Sequence, residues 1–296
     1  MFKKYIESFF DYLAYEKKYS SHTIISYKND LTQFVTFLNQ DLSDAEISEI
    51  NDQHIRSWIS TLISDKIEPR TVNRKISSLK SFFRFLQRER IVVSNPVSHI
   101  SGPKTPKRLP VFVNERQMEN LFQNVKFDIG FNGQRDQLIL DLLYQTGIRR
   151  SELALLTETN VDLNNLTIKV LGKRNKERLI PISLPLKRNL DSYLQVKKEL
   201  NLLSPMLLVN EKGINFSEHA IYECVKKYLA QVTTIKKKSP HVLRHTFATH
   251  LLNNGADINA VKDLLGHANL SATQIYTHNT IEKLKKSYQQ AHPRGE

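Results

Sequence analysis

Four prolines and a glycine fall within the seventeen residues Ser94–Pro110, SNPVSHISGPKTPKRLP. A proline removes an amide donor and pushes the residue before it out of the helical region, so neither helix nor strand runs through such a stretch. The chain is thereby cut in two. Its 296 residues are long for one core and comfortable for two. The break predicts a first unit at 1–94, a linker at 95–112 and a second unit at 113–296.

Cys224 is the one cysteine, so no disulfide and no cysteine-based zinc cluster forms within the chain, which fits a reducing compartment. No run approaches the roughly 18 apolar residues of a membrane span, and the N-terminus lacks a signal-peptide core. A cytoplasmic, nucleoid-associated protein is expected. The net charge of +13 points to a polyanionic partner. It is unevenly spread: Lys and Arg outnumber Asp and Glu 10 to 1 over residues 70–108, against 7 to 11 over residues 1–69.

The first unit reads as helices. Phe2, Ile6, Phe9, Phe10 and Leu13 recur at helical spacing, as do Ile24, Tyr27, Leu31, Phe34 and Leu38, with further helices over 51–64 and 70–90. The last carries an apolar stripe of Val72, Ile76, Leu79, Phe83 and Leu86. Arg70, Arg74, Lys75, Lys80, Arg84 and Arg88 fill much of the rest. Repeated cations without interspersed acids predict a face that contacts phosphates, although a solvated surface has the same look. Lys104, Lys107 and Arg108 extend the charge into the linker, where they can follow a nucleic-acid backbone or simply keep the segment solvated.

The second unit mixes types. Helical patterns cover about 115–125, 135–146, 184–200 and 217–231, while LTIKVLGKRNKERLIPI predicts a β-hairpin with a basic tip of Lys173, Arg174 and Lys176. The fold class is therefore mostly α with a small β-hairpin or sheet in the second unit.

PHVLRHTFATHLL, from Pro240 to Leu252, begins after a good N-cap, Ser239, and stops at Gly255. At 100° per residue Leu243, Phe247 and Leu251 share one side, and His241, Arg244, His245 and Ala248 the other. A buried arginine costs several kcal/mol unless it meets an anion, so Arg244 calls for one from the protein or from a ligand. His241 and His245 stand four apart as in helical zinc sites, but the guanidinium between them opposes a cation, so no metal is expected. His245 and His250 are read as structural.

YQTGIRRSEL ends a helix at Gly147, places Arg149 just past it, and sets Glu152 one turn on to orient the guanidinium; the start of the next helix can also face an anion. DLLGHANLSATQIYTH closes a helix at Gly266, exposes His267, caps a new helix at Ser271 and puts Tyr276 nine positions after His267. Each motif alone has a plain structural reading. Together, two arginines, a lysine, two histidines and a tyrosine, with no carboxylate pair, suit phosphoryl transfer in which a phenol attacks phosphorus. Two guanidiniums can neutralise the charge that grows on the non-bridging oxygens without magnesium. A lysine on a hairpin can protonate the departing oxygen, and nearby cations with an imidazole can activate a phenol whose ordinary pKa is about 10.

On these motifs, together with YSSHTIISYKNDLTQFVTFL near the N-terminus, the chain resembles the tyrosine recombinases of the phage integrase family, XerC/XerD type, over essentially its whole length. The resemblance implies that Arg149 and Arg244 clamp the scissile phosphate, that Lys173 is the general acid, and that His241 and His267 assist proton transfer. It makes Tyr276 the nucleophile of a 3′-phosphotyrosyl link and Glu152 a supporting residue. The hairpin departs from the relatives' Gly-Lys-Gly with Gly172-Lys173-Arg174, which leaves Lys173 or a neighbouring cation to reach the leaving group.

The resemblance further implies a C-shaped clamp of a helical core-binding domain and a catalytic domain around double-stranded DNA. It implies a tetramer on two DNA sites, alone or with a sister recombinase, exchanging strands through a Holliday junction. A tail after Tyr276, with Ile281, Leu284 and Tyr288, is expected to reach a neighbouring protomer. Resolution of chromosome dimers at a dif-like site, with a division-linked activator and no cofactor, is the expected role. A mobile-element integrase, a type IB topoisomerase and an inactive architectural DNA-binding protein are the alternatives.

Overall fold

The computed structural model describes residues 2–41, 46–106, 111–172, 177–266 and 278–295. Two compact units result, Met1–Arg108 and Leu109–Glu296, and each has its own apolar core. Among the described residues no helix is long and apolar enough to cross a membrane.

The first unit holds α1 (Phe2–Asp11), continued by a π-helical turn, α2 (Ser21–Asp41), α3 (Asp52–Ser64) and α4 (Pro69–Arg88). All three other helices pack on α4, so its buried arc is wider than the expected stripe: Phe82 and Phe85 are buried beside Val72, Ile76, Leu79, Phe83 and Leu86. Phe9 of α1 meets Phe82 edge-on with ring centroids 5.3 Å apart. In α2, Asp30 is fully buried and accepts from Arg74, from Lys75 Nζ at 3.1 Å and from Ser78 Oγ at 2.8 Å. A carboxylate is tolerated there because α4 brings cations and a hydroxyl to it.

The segment expected to be the linker from residue 95 packs on the first unit over its first part. Val97 and Ile100, three apart between two prolines, are buried in the first core, and Asn73 Nδ2 donates to the Pro103 carbonyl at 3.0 Å. Gly102 sits so close to α4 that a Cβ there would lie 1.7 Å from Asn73 Oδ1. Lys107 and Arg108 lie outside the described residues.

The second unit comprises α5 (Glu115–Gln123), α6 (Phe131–Thr146), α7 (Arg150–Ala154), strands β1 (Val161–Asp162), β2 (Thr167–Leu171) and β3 (Glu177–Pro181), then α8 (Leu184–Glu199), α9 (Glu218–Val232), α10 (Pro240–Asn253), α11 (Ile258–Leu265) and α12 (His278–Ala291). The expected hairpin is β2–β3, antiparallel with Ile168 opposite Ile180 and Val170 opposite Arg178. The short β1 adds a third antiparallel strand. Helix α6 is buried nearly all round, with α8, α9 and α10 packed on it. A helix so enclosed must pair its polar groups internally: Gln145 Nε2 donates to Asp141 Oδ1 at 2.7 Å, and Asn189 Nδ2 donates to Oδ2 at 2.6 Å.

In the single chain α12 packs on its own unit. Leu284, Tyr288 and Ala291 are buried in the second core, Tyr288 Oη donates to Gln145 Oε1 at 3.0 Å, and Arg294 pairs with Asp141 at 3.1 Å. The reason is polar as much as apolar, because α6 presents a buried carboxylate and amide that the C-terminal residues satisfy.

His292 completes this seat. Its Nε2–H donates to the Tyr144 carbonyl at 3.3 Å and its Nδ1 accepts the Arg294 amide at 3.0 Å, so a second proton would displace an established acceptor. Burial, with His250 and Arg294 nearby, pushes its pKa from the ordinary 6.5 down to about 3, against the opposing carbonyl bond. The unfolded chain therefore binds this proton first as pH falls, and the folded form loses stability progressively below pH 6.5. Between pH 7 and pH 5 the wild type is expected to lose about 2 kcal/mol more unfolding free energy than His292→Gln. Urea unfolding at both pH values reads the difference, and equal losses in the two proteins would remove His292 as its source.

Candidate active site

Helix α10 has the two faces that its periodicity predicts. Leu243, Phe247 and Leu251 are fully buried on one, while the other carries Arg244, 8% exposed, and His241, which is open to solvent. Ser239 occupies the N-cap position with extended backbone, but its hydroxyl makes no capping bond. His250 is buried and shares a 2.9 Å hydrogen bond between Nδ1 and the Tyr144 hydroxyl, and His245 is half-buried beside the cationic face.

Two helix ends meet Arg244. Helix α6 stops at Gly147 (φ 57°) and α11 at Gly266 (φ 63°), both left-handed. At Gly147 a Cβ would in addition lie 2.5 Å from the Phe247 ring, so a glycine is needed for space and for backbone. The last carbonyls of a helix lack partners within it and carry partial negative charge. Arg244 uses both ends, Nη1 donating to the Gly147 carbonyl and Nη2 to the Leu265 carbonyl at 2.6 Å.

Two further arginines take the neighbouring carbonyls of α11. Arg149 Nη2 donates to the Gly266 carbonyl at 3.2 Å, and Arg178 Nε donates to the Leu264 carbonyl at 3.1 Å. Three successive carbonyls are thus held by three different guanidiniums. Residues 267–276 follow directly in the chain.

One carboxylate organises two of these arginines. Glu152 Oε1 accepts from Arg149 Nη1 at 2.6 Å and from Arg178 Nη1 at 3.0 Å, and Oε2 accepts from Arg178 Nη2 at 2.7 Å and from the Arg149 amide at 2.9 Å. At the start of α7 Glu152 thus takes the amide of Arg149, the residue just before the helix. Burial favours its neutral form, but the two-pronged bond from Arg178, reinforced by Arg149, holds its pKa down at about 2. It is ionised throughout the neutral range.

Three guanidiniums against one carboxylate leave a net positive site. Burial, then Arg149 and Arg178, push the Arg244 pKa down to about 9, with Glu152 opposing, so the group keeps its charge at neutral pH while its surroundings favour an added anion. His241 is shifted below its ordinary value by partial burial, then by Arg244, Lys237, Arg150 and Arg149. It is consequently a neutral imidazole at pH 7, able to accept a proton.

Of the expected catalytic residues, the structure brings Arg149, His241 and Arg244 together, with the supporting Glu152 beside them; Lys173, His267 and Tyr276 lie outside the described residues, as do the expected DNA-contacting Arg174 and Lys176. Arg178 was not anticipated. Its neighbours Leu179, Ile180 and Ile182 suggest an apolar strand, yet alternation from Ile180 places Arg178 on the inward face, where it is 4% exposed opposite Val170. Lys237, in a basic run before α10, adds to the positive field at His241. Among the described residues no three His, Cys, Asp or Glu side chains converge as a metal site requires.

In the first unit Arg70, Arg74, Arg84 and Lys104 are exposed and Lys80 is half-buried. Lys75 corrects the expected phosphate face. It is 4% exposed, with Nζ donating to Asp30 and Gln33, because the helical register turns it inward to the buried carboxylate. Arg74 is shared, its Nη1 donating to Ser26 Oγ at 2.8 Å and to Asp30. Arg88 stacks over Tyr12 and pairs with Glu16 and Glu89.

The sequence pattern of the phage integrase N-terminal SAM-like domain matches residues 6–90, and that of the phage integrase family matches residues 112–283. Tyrosine recombinase XerC of Listeria innocua is 42% identical over 291 residues, spanning 97% of each chain. Tyrosine recombinase XerC of Staphylococcus saprophyticus is 43% identical over 284 residues, spanning 96% of this chain and 95% of that one. Among solved structures, the XerH site-specific recombinase bound to palindromic difH substrate, a post-cleavage complex, aligns with a TM-score of 0.72. Its identity is 22%, over 90% of this chain and 78% of that one. The Tn1549 transposon integrase in complex with transposon right end DNA aligns with a TM-score of 0.71 at 20% identity, over 95% of this chain and 98% of that one. At these identities the structural likeness is one of fold.

Proposed function

The chain belongs to the phage integrase family as a tyrosine recombinase of the XerC/XerD type, and from that premise we propose that it resolves chromosome dimers at a dif-like site. In this reading Arg149 and Arg244 clamp the non-bridging oxygens of the scissile phosphate. Tyr276 attacks phosphorus, and its phenolic proton passes to a neighbouring base, with His241 and His267 as the imidazoles at hand. The Tyr276 oxygen to phosphorus bond forms as the bond to the 5′ oxygen breaks, and Lys173 protonates the leaving oxygen. The phosphotyrosyl ester retains the bond energy, so attack by another 5′ hydroxyl reseals the strand without ATP.

The observation that supports this most is the seating of Arg149 and Arg244 on consecutive carbonyls, Gly266 and Leu265, at the root of the segment that carries His267 and Tyr276. Both arginines are fixed before DNA arrives, as electrostatic stabilisation of a transition state requires. In the first unit Arg70, Arg84 and Lys104, with Lys80 and Arg74 beside them, provide sequence-independent phosphate contacts; Lys107, Arg108, Arg174 and Lys176 are assigned the same role. A tetramer on two sites, strand exchange through a Holliday junction and a division-linked activator complete the proposal. The protein acts in the cytoplasm at the nucleoid.

Sequencing covalent adducts trapped on genomic DNA tests the biological role. A single site with two inverted half-sites, independent of any mobile element, is expected. Adducts confined to the ends of a transposon or prophage would instead make the chain a mobile-element integrase.

A further inference from the structure

We infer that Arg178 is a positioning residue for strand cleavage, which locks the Arg149 guanidinium, the β3 strand and the exit of α11 into one unit. The inference rests on the recombinase reading above and adds to it a residue outside the Arg, Lys, His and Tyr set. Arg178 has three attachments. Two are the parallel bonds to the Glu152 carboxylate at 3.0 and 2.7 Å, and the third is Nε to the Leu264 carbonyl at 3.1 Å.

These attachments divide the labour at the site. Arg149 reaches Glu152 by one side-chain bond to Oε1, an oxygen that Arg178 also holds, and is 26% exposed at its side chain. Without Arg178 the carboxylate would be free to rotate toward Arg149 and draw the guanidinium off the phosphate. The planar, two-pronged fork prevents this, a geometry that lysine cannot reproduce.

The same side chain touches the turn that leads to the nucleophile. A Cβ at Gly266 would lie 3.0 Å from Arg178 Cδ, so the left-handed turn rests on the Arg178 stem. Arg178 also sits on β3, five positions after Lys173 in the chain. One buried residue therefore ties the carboxylate that holds Arg149 to β3 and to the end of α11.

The experiment compares full-length wild type, Arg178→Lys, Glu152→Gln and the double variant on a nicked suicide duplex, with gel-shift affinity and thermal unfolding measured in parallel. Arg178→Lys is expected to slow covalent adduct formation about 10- to 100-fold, with duplex affinity within about threefold of wild type. In the Glu152→Gln background the same substitution should cost less than about threefold further, because both residues act through one unit. Arg178→Gln, which removes the charge, should cleave no faster than Arg178→Lys. The inference is overturned if Arg178→Lys cleaves at the wild-type rate, if the two substitutions multiply, or if affinity and melting temperature fall in step with cleavage. Failure of the wild type itself to form an adduct would instead sink the recombinase reading.

Discussion

Arg244→Ala is expected to lose strand cleavage by about a thousandfold while keeping duplex affinity within about tenfold. Arg244 is more buried than Arg149, and two helix ends fix it through the Gly147 and Leu265 carbonyls. A donor so placed has already met its ordering cost, so its charge is available to the pentacoordinate phosphorus at full strength. Duplex affinity, by contrast, is a sum over phosphate contacts, and on the proposed reading the substitution removes one of them.

The substitution also orphans two carbonyls, at about 1–3 kcal/mol for each that water cannot reach. Arg244→Lys separates these effects. It keeps the charge but not the fork, so it should recover much of the stability and little of the cleavage. Adduct formation on a suicide duplex, set against gel-shift affinity and urea unfolding, reads all three. Parallel loss of binding and cleavage by both variants would make Arg244 an affinity residue.

The legible parts of the protein are those whose physics is local. The proline-rich segment marks the division because proline acts on its own neighbours, and α10 shows both faces because a 100° repeat is written in consecutive residues. What escaped depends on partners far apart in sequence. Lys75 resembles its exposed neighbours until Asp30, 45 positions earlier, is seen beneath it. The seat of α12 is equally long-range, since Arg294 and Tyr288 find Asp141 and Gln145 of α6 about 150 positions earlier.

Arg178 is an intermediate case. Strict alternation along β3 would have placed it inward, but the run Leu179, Ile180 and Ile182 draws the eye to an apolar face and away from the cation. The capture of the Leu264, Leu265 and Gly266 carbonyls by three arginines has no sequence signature, since every residue has a carbonyl. Only the cationic partners are visible, and Arg244's need for an anion could be argued from burial alone. The structure adds that protein carbonyls meet part of that need and hold the arginine ready for the rest.

In the proposed reaction a phenol of this chain attacks DNA phosphorus beside Arg149 and Arg244. A duplex nicked close to the cleavage point, incubated in EDTA without ATP, should leave the wild type covalently attached to a 3′ phosphate, with the nucleotide on the peptide containing Tyr276. Tyr276→Phe should bind the same duplex with unchanged affinity and give no adduct. Equal trapping by both proteins, or an adduct mapped to another residue, would contradict the account.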